Sequence, residues 1–194
     1  NNPHDSSVFQ TAGRDFRVEL SAVLWSAADD SNGDGLADAN ANLYNNTIAS
    51  LFGQESTAPA VQFLHSVTSP SGGAPGILTT SFNNPYSAGS TLVDMNWDEV
   101  GILQVVTSLP QYLGDTSYSS AYVIANIGRF VPADFRVTNV NHGAFANSCG
   151  SFTYSGQAFN YASNPSFVVE ALNALPVPTV TRNYTGIWSK LNSG

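Results

Sequence analysis

Short alternating runs of Val, Thr, Phe and Tyr recur along this chain between clusters of Gly, Pro, Asn and Ser, and a helical period is hard to find. Period-two alternation puts successive side chains on opposite faces of a strand. Such runs bury their apolar faces by pairing into sheets and stacking the sheets. The predicted fold class is therefore all-β. Strands are expected near Arg14 to Trp25, Leu43 to Phe52, Ala60 to Thr68, Gly76 to Phe82, Thr91 to Trp97, Val100 to Ser108 and Ala121 to Ile127. Turn signals separate them at Ser69-Pro70-Ser71-Gly72-Gly73, Asn83-Asn84-Pro85 and Leu109-Pro110. Seven strands suit an immunoglobulin-like β-sandwich with one long insertion after Trp25.

The stretch Ile127-Gly128-Arg129-Phe130-Val131-Pro132-Ala133-Asp134-Phe135 reads as a junction. Gly128 lets the backbone turn, and Pro132, with no N–H, does not belong in mid-sheet. A Phe-x-Val-Glu pattern stands on each side of it, at Phe16-Arg17-Val18-Glu19 and at Phe167-Val168-Val169-Glu170. The expected division is an immunoglobulin-like sandwich over 1–131 and a second β-module over 132–194. Its strands are placed near Phe135 to Val140, Ser151 to Tyr154, Phe167 to Ala174 and Thr179 to Tyr184. These are too few to close a sandwich, so the second module is expected to be incomplete, cut short at Gly194 or packed onto the first to share its core. Phe16, Leu20, Trp25, Trp97, Val100, Phe130 and Phe135 are the predicted core and junction residues.

Charge narrows the partners. Only 10% of residues are charged, the formal net charge is −8, and Lys190 is the single lysine. Phosphate backbones and anionic membranes need clustered Lys and Arg, so neither nucleic acid nor a membrane surface is an expected partner. No apolar run reaches the ~20 residues of a membrane span, and no basic-then-apolar signal segment is present. Cys149 is the only cysteine. Two readings stand for it, a buried thiol acting as a small hydrophobe and a thiol separated from its disulfide partner.

One segment carries plausible ion chemistry. Asp29-Asp30-Ser31-Asn32-Gly33-Asp34-Gly35-Leu36-Ala37-Asp38 sets Asp30, Asn32 and Asp34 at alternate positions before a Gly, the opening of a calcium loop. Ca²⁺ needs several hard oxygens at about 2.4 Å, and the Leu36 carbonyl and Asp38 are the further candidate ligands. Counting from Asp30, the position of the bidentate Glu in an EF-hand holds Ala41, so a helix–loop–helix sensor is not expected. A bound Ca²⁺ would be structural. The competing reading is a solvated Asn- and Asp-rich turn that needs no ion.

Catalysis finds little support. His4, His65 and His142 lack metal-ligand spacing to one another or to Cys149, and no G-x-S-x-G elbow occurs. A Cys149–His142 nucleophile and base would sit on one Gly- and Asn-rich loop without a recognisable motif. Asp98-Glu99, as neighbours on a strand edge, would point to opposite faces and not flank one bond. Arg129 is read as a structural residue that pairs across the junction. Asn45-Asn46-Thr47 and Asn183-Tyr184-Thr185 match the short glycosylation acceptor pattern. The chain is not expected to be an enzyme.

Several segments taken together resemble the MshQ-type family of the mannose-sensitive haemagglutinin (MSHA) type IV pilus system of Gram-negative bacteria. They are the Asp29-Asp30 to Asp38 loop, Ser69-Pro70-Ser71-Gly72-Gly73 with Gly76-Ile77-Leu78, Trp97-Asp98-Glu99-Val100-Gly101, Gly128-Arg129-Phe130 with Pro132, Phe152-Thr153-Tyr154 with Gly156-Gln157, and Asn183-Tyr184. They run from about Phe16 to Lys190 and are similar to the β-rich region of that family. The resemblance implies an exported, extracellular, pilus-associated protein of the bacterial cell surface, active in pilus biogenesis or cell adhesion, with pilus subunits or surface glycans as partners. It brings no catalytic residue with it. It also implies a disulfide partner for Cys149 that this chain lacks. The leading expectation is a non-enzymatic structural or adhesive module. The alternative is a glycan-binding module in which exposed Tyr112, Tyr118 and Tyr122 stack on sugar rings.

Overall fold

The computed structural model describes residues 2–38, 40–116 and 120–191, with the backbone alone for 120–125. Eleven strands form: β1 (Gln10–Thr11), β2 (Asp15–Ser21), β3 (Gln62–Ser69), β4 (Leu78–Phe82), β5 (Ser90–Trp97), β6 (Gly101–Leu109), β7 (Ser120–Val131), β8 (Asp134–Asn141), β9 (Ala144–Phe145), β10 (Tyr161–Ser163) and β11 (Ser166–Leu172). The only helical elements among the described residues are short 3₁₀ turns. The protein is all-β.

Two sheets make the first body of structure. One has the order β1-β7-β6-β3 and the other β2-β5-β4. Pairing is antiparallel throughout except for β1, which lies parallel to β7 with Gln10 opposite Phe130. Second, fifth and fourth strands facing third, sixth and seventh is the partition of an immunoglobulin-like sandwich. Alternation drives it. On β5, Thr91, Val93, Met95 and Trp97 are buried while their neighbours are not, and β6 repeats the pattern at Gly101, Leu103, Val105 and Thr107. These two strands supply the facing inner walls. Phe16 from β2 and Phe130 from β7 complete a cluster with Val93, Met95, Trp97, Leu103 and Val105. Phe9, Phe16 and Phe130 form a triangle of rings with centroids 5.5 Å apart, and Trp97 stands edge-on to Phe130 at 5.1 Å. Each such side chain contributes roughly 1.5–3 kcal/mol on burial, so these few residues dominate the core.

The turn into β6 requires glycine. Gly101 has φ +132°, and a Cβ there would meet the Ser69 carbonyl oxygen at 2.3 Å. On β7, opposite Ile102, Gly128 has φ +150°, and a Cβ would fall 2.8 Å from the Gly101 carbonyl oxygen. The β6–β7 ladder shifts register here, between Gly101 and Ile102. Bulk at either position would push the strands apart.

β7 ends at Val131 and β8 begins at Asp134, with Pro132 in the short link between them. β8 pairs with β11, and β9 with β10, as separate two-stranded ladders. The chain then leaves β11 and runs back along the sandwich. Trp188 packs there with Ala12 and Val100, beside Tyr184.

Several expectations are corrected. Leu43 to Phe52 is not a strand; it holds a 3₁₀ turn, Leu43–Asn45, and a lone bridge from Ile48 to Val23, because Asn42 caps the turn by accepting from the Tyr44 N–H. Ser151 to Tyr154 and Thr179 to Tyr184 reduce to single bridges, Cys149 to Phe152 and Leu172 to Val180. Trp25, predicted as core, is 60% exposed, since β2 stops at Ser21 and the chain has left the sheet before reaching it. Phe135 is also exposed, on a ladder that the described residues do not cover with a second sheet.

Candidate functional site

The aspartate-rich loop curls around Asp30. Its Oδ1 accepts from the N–H groups of Gly33 (2.7 Å) and Asp34 (3.1 Å), and its Oδ2 from that of Gly35 (2.8 Å). Asn32 donates from Nδ2 to Asp34 Oδ2 at 3.0 Å, and Asp34 Oδ1 accepts from the Leu36 N–H at 2.8 Å. Asp38 Oδ2 accepts from both the hydroxyl and the N–H of Ser31, which hold its carboxyl below the usual carboxylate range. The structure thus brings Asp30, Asn32, Asp34, Leu36 and Asp38 onto one turn. Asp29 faces away, accepting from Asn46 Nδ2 at 2.8 Å. Among the described residues no group of three His, Cys, Asp or Glu side chains gathers as a metal centre. The loop's carboxylates are met mostly by its own backbone amides, joined by the Ser31 hydroxyl and the Asn32 side-chain amide.

A second constellation is one that the sequence left unmarked. Glu99 is buried in the β5–β6 turn, not on a strand edge as expected. Its Oε1 accepts from the N–H groups of Val100 (2.8 Å) and Asn183 (3.1 Å), and its Oε2 from that of Arg182 (2.8 Å). Burial raises its carboxyl above the ordinary value, and these three bonds partly offset the rise. Asn183, also buried, donates from Nδ2 to the carbonyls of Ala74 and Val100, both at 3.0 Å, and accepts from the Ala74 N–H at 2.7 Å. Asn173 donates to the Asp98 carbonyl at 3.1 Å and to Thr179 Oγ1 at 2.7 Å. Together these side chains clasp the segment after β11 onto the sandwich. Asn183, which opens one match to the short glycosylation acceptor pattern, has its amide enclosed in this clasp. Asp98, the sequence neighbour of Glu99, instead accepts from the Ile77 N–H at 2.7 Å.

Tyr112 was expected to stand exposed. It is half-buried, stacked on Phe52 with ring centroids 5.6 Å apart, and its hydroxyl donates to Glu55 Oε1. Tyr86 packs against the same Phe52 at 5.0 Å, and burial pushes its hydroxyl up to about 12. The Tyr86 hydroxyl and Glu55 Oε2 are buried without hydrogen-bond partners. Tyr118 and the side chain of Tyr122 lie outside the described residues.

Arg129 reaches across to the N-terminal segment, where its Nη1 donates to the His4 carbonyl. It borders a cavity of about 230 Å³ shared with Val100, Phe130, Phe135, Tyr184 and Trp188. Lys190 closes the rim through a 2.8 Å ion pair with Asp5, which lowers the Asp5 carboxyl. Cys149 is an exposed free thiol in a tight turn. His142 is exposed in the loop after β8, and His65 Nε2 lies 3.3 Å from the Gly76 carbonyl.

Fold and site together define an immunoglobulin-like β-sandwich protein whose buried polar groups fasten a returning C-terminal segment. The chain belongs to the DUF6701 family: residues 1–94 match DUF6701, second domain, and residues 99–194 match DUF6701, third domain. No curated protein and no solved structure matches the chain.

Proposed function

We propose that this chain is a non-enzymatic structural module of an exported surface protein of a Gram-negative bacterium, pilus-associated and contributing to pilus biogenesis or attachment. The observation that carries the reading is the use of Glu99. A buried carboxylate is the group a hydrolase would need as an acid or base, and here both of its oxygens are held by backbone amides that fasten residues 182–183 to the sandwich. Its chemistry is mechanical. The polar, Lys-poor surface and the resemblance to MshQ-type proteins support display outside the cell.

The aspartate loop fits the same role. We propose that Asp30, Asn32, Asp34, the Leu36 carbonyl and Asp38 take one structural Ca²⁺ at the ~0.1–1 mM concentrations typical of extracellular modules. The ion would stiffen the long insertion that follows β2.

Immunogold labelling of intact cells, with an antibody raised against the sandwich, tests the placement. Label on the cell surface and along pili is expected. Confinement of the protein to the cytoplasmic fraction would overturn the reading.

A further inference from the structure

The positive charges of this chain are, with one exception, either paired or in water. Arg17 and Arg136 close ion pairs with Asp94 and Glu170, Lys190 closes one with Asp5, and Arg14 and Arg182 stand exposed. Arg129 does neither. It is half-buried, its Nη1 donates to a neutral acceptor, the His4 carbonyl, and its Nε is enclosed with no hydrogen-bond partner among the described residues. A guanidinium stays charged at every physiological pH, and an enclosed charged donor left unbonded is costly. The side-on edge of the group, Nε with Nη2, is the fork that a carboxylate closes with two parallel bonds.

The cavity of about 230 Å³ that Arg129 borders lies beside the returning C-terminal segment. Phe130 and Trp188 wall it from within the core, and Phe135, 42% exposed, stands at it with its ring centroid 5.4 Å from that of Tyr184. The Tyr184 hydroxyl accepts from the Lys190 N–H at 3.0 Å, which leaves its own hydrogen to donate. A cavity of about 150 Å³ holds benzene, so this one has room for such a ring and a short acidic arm. Its charges do not cancel. Asp5 answers Lys190, and His4 turns its Nε2 to the same carboxylate at 3.2 Å. Glu99 and Asp134, next in sequence to lining residues, do not line the cavity, and their carboxylates accept from backbone N–H groups. One positive charge, that of Arg129, is left over in a chain whose formal net charge is −8.

We propose that this cavity binds a small carboxylic acid with an apolar, aryl-sized body, its carboxylate on the Nε–Nη2 edge of Arg129 and its ring against Phe135, Tyr184 and Trp188. A single surplus charge matches a carboxylate better than a doubly charged phosphate. The walls select the body. A sugar acid would turn hydroxyls onto Val100, Phe130 and Pro132, whose side chains give them no partner. An aryl ring makes edge and face contacts with these aromatics and covers the open part of Phe135. A free acid and the C-terminal residue of a peptide present the same group. The inference goes beyond the structural role proposed above and stands or falls apart from it.

Calorimetric titration of the full chain with phenylacetate tests it. Saturable one-to-one binding with Kd at or below about 1 mM is expected, and phenylacetamide, of the same shape without the charge, should bind about tenfold weaker or worse. Tighter binding of N-acetylphenylalanine than of phenylacetate assigns the site to a peptide C-terminus, and the reverse order to a free acid. D-glucuronate is expected not to bind. Arg129→Gln and Lys190→Glu should each weaken phenylacetate about tenfold or more, while Arg17→Gln, on β2, leaves it unchanged. Arg129 also holds the N-terminal segment through His4, so the comparison of acid with amide on the native chain carries the test without any substitution. Lys190 is exposed, and its variant is expected to melt with the native chain. No binding at about 10 mM, equal affinity for acid and amide, or tighter binding of glucuronate than of phenylacetate overturns the proposal. So does an affinity that the folded Arg129→Gln and Lys190→Glu chains leave unchanged.

Discussion

Removing the Glu99 carboxylate should detach the segment that returns along the sandwich. Three N–H groups end on its two oxygens, those of Val100 and Asn183 buried and that of Arg182 part-buried. Each buried donor left without a partner costs about 1–3 kcal/mol. Part of the segment reaches water once released, so the lower part of the range applies, and Glu99→Ala should lose about 3–5 kcal/mol in all. Glu99→Gln keeps a carbonyl for two of the donors but presents its NH₂ to the third, and should lose about 1–2 kcal/mol. Urea denaturation gives both values, and limited proteolysis of residues 173–190 gives the local release. The pH dependence supplies a sharper test. The folded carboxyl lies above its ordinary 4.5 because burial outweighs the three amide bonds. A raised carboxyl contributes stability that is complete below the unfolded value and is lost as pH rises through the folded value. Glutamine does not titrate, so the gap between native and Glu99→Gln should widen as pH falls through that window. Asp5, Asp38, Glu55 and Asp94, whose carboxyls are lowered, act in the opposite direction but are common to both proteins. A Glu99→Ala chain within about 0.5 kcal/mol of native, or one whose C-terminal segment stays equally protected, refutes the clasp.

Phe130→Ala, which empties the centre of the aromatic cluster, should cost about 3–5 kcal/mol in the same urea assay, whereas Trp25→Ala, at an exposed position, should change it by less than about 0.5 kcal/mol. Cys149 should react with a thiol reagent in the native protein nearly as fast as in the denatured one, because its side chain is exposed; protection until denaturation would contradict that exposure. Calcium at about a hundredfold excess over Kd should add roughly 2.7 kcal/mol and raise the melting temperature by about 5–10 °C, with the gain abolished by a chelator and in Asp34→Ala. If the native curve does not move, or the variant responds equally, the loop is a polar turn held by its own amides.

The strands of the sandwich were legible because one face of each is buried. Val93, Met95 and Trp97 alternate with polar neighbours, and period two leaves one orientation for such a run. Leu43 to Phe52 misled because Leu43, Tyr44, Ile48, Leu51 and Phe52 are apolar without that alternation, and the Asn residues among them bond their own backbone and favour turns. The aspartate loop was legible as an oxygen-rich turn, since its spacing dictates the backbone curl seen around Asp30. The clasp was not. Glu99, Asn173 and Asn183 lie far apart along the chain, and their burial follows from the path of the returning segment, which no local pattern announces. One signal was present and unused: the identical Asp-Phe-Arg-Val at the starts of β2 and β8 marks the repeat better than the looser Phe-x-Val-Glu pattern, which aligns β2 with β11, the partner of its true counterpart.

The family divides this chain between residues 94 and 99, at the end of β5 and the turn into β6. The core does not. Phe16, Val93, Met95 and Trp97 come from before or within that division, and Leu103, Val105 and Phe130 from after it, yet they form one buried cluster. β3 comes from the first part and pairs with β6 from the second, and β1 pairs with β7 in the same way. Neither part alone retains both walls of the sandwich. Glu99, the first residue of the later match, sits at this seam and bonds forward to Arg182 and Asn183, so one side chain ties the seam to the far end of the chain. The physical unit is therefore a sandwich shared across the two matched regions, and its integrity rests on the turn between β5 and β6.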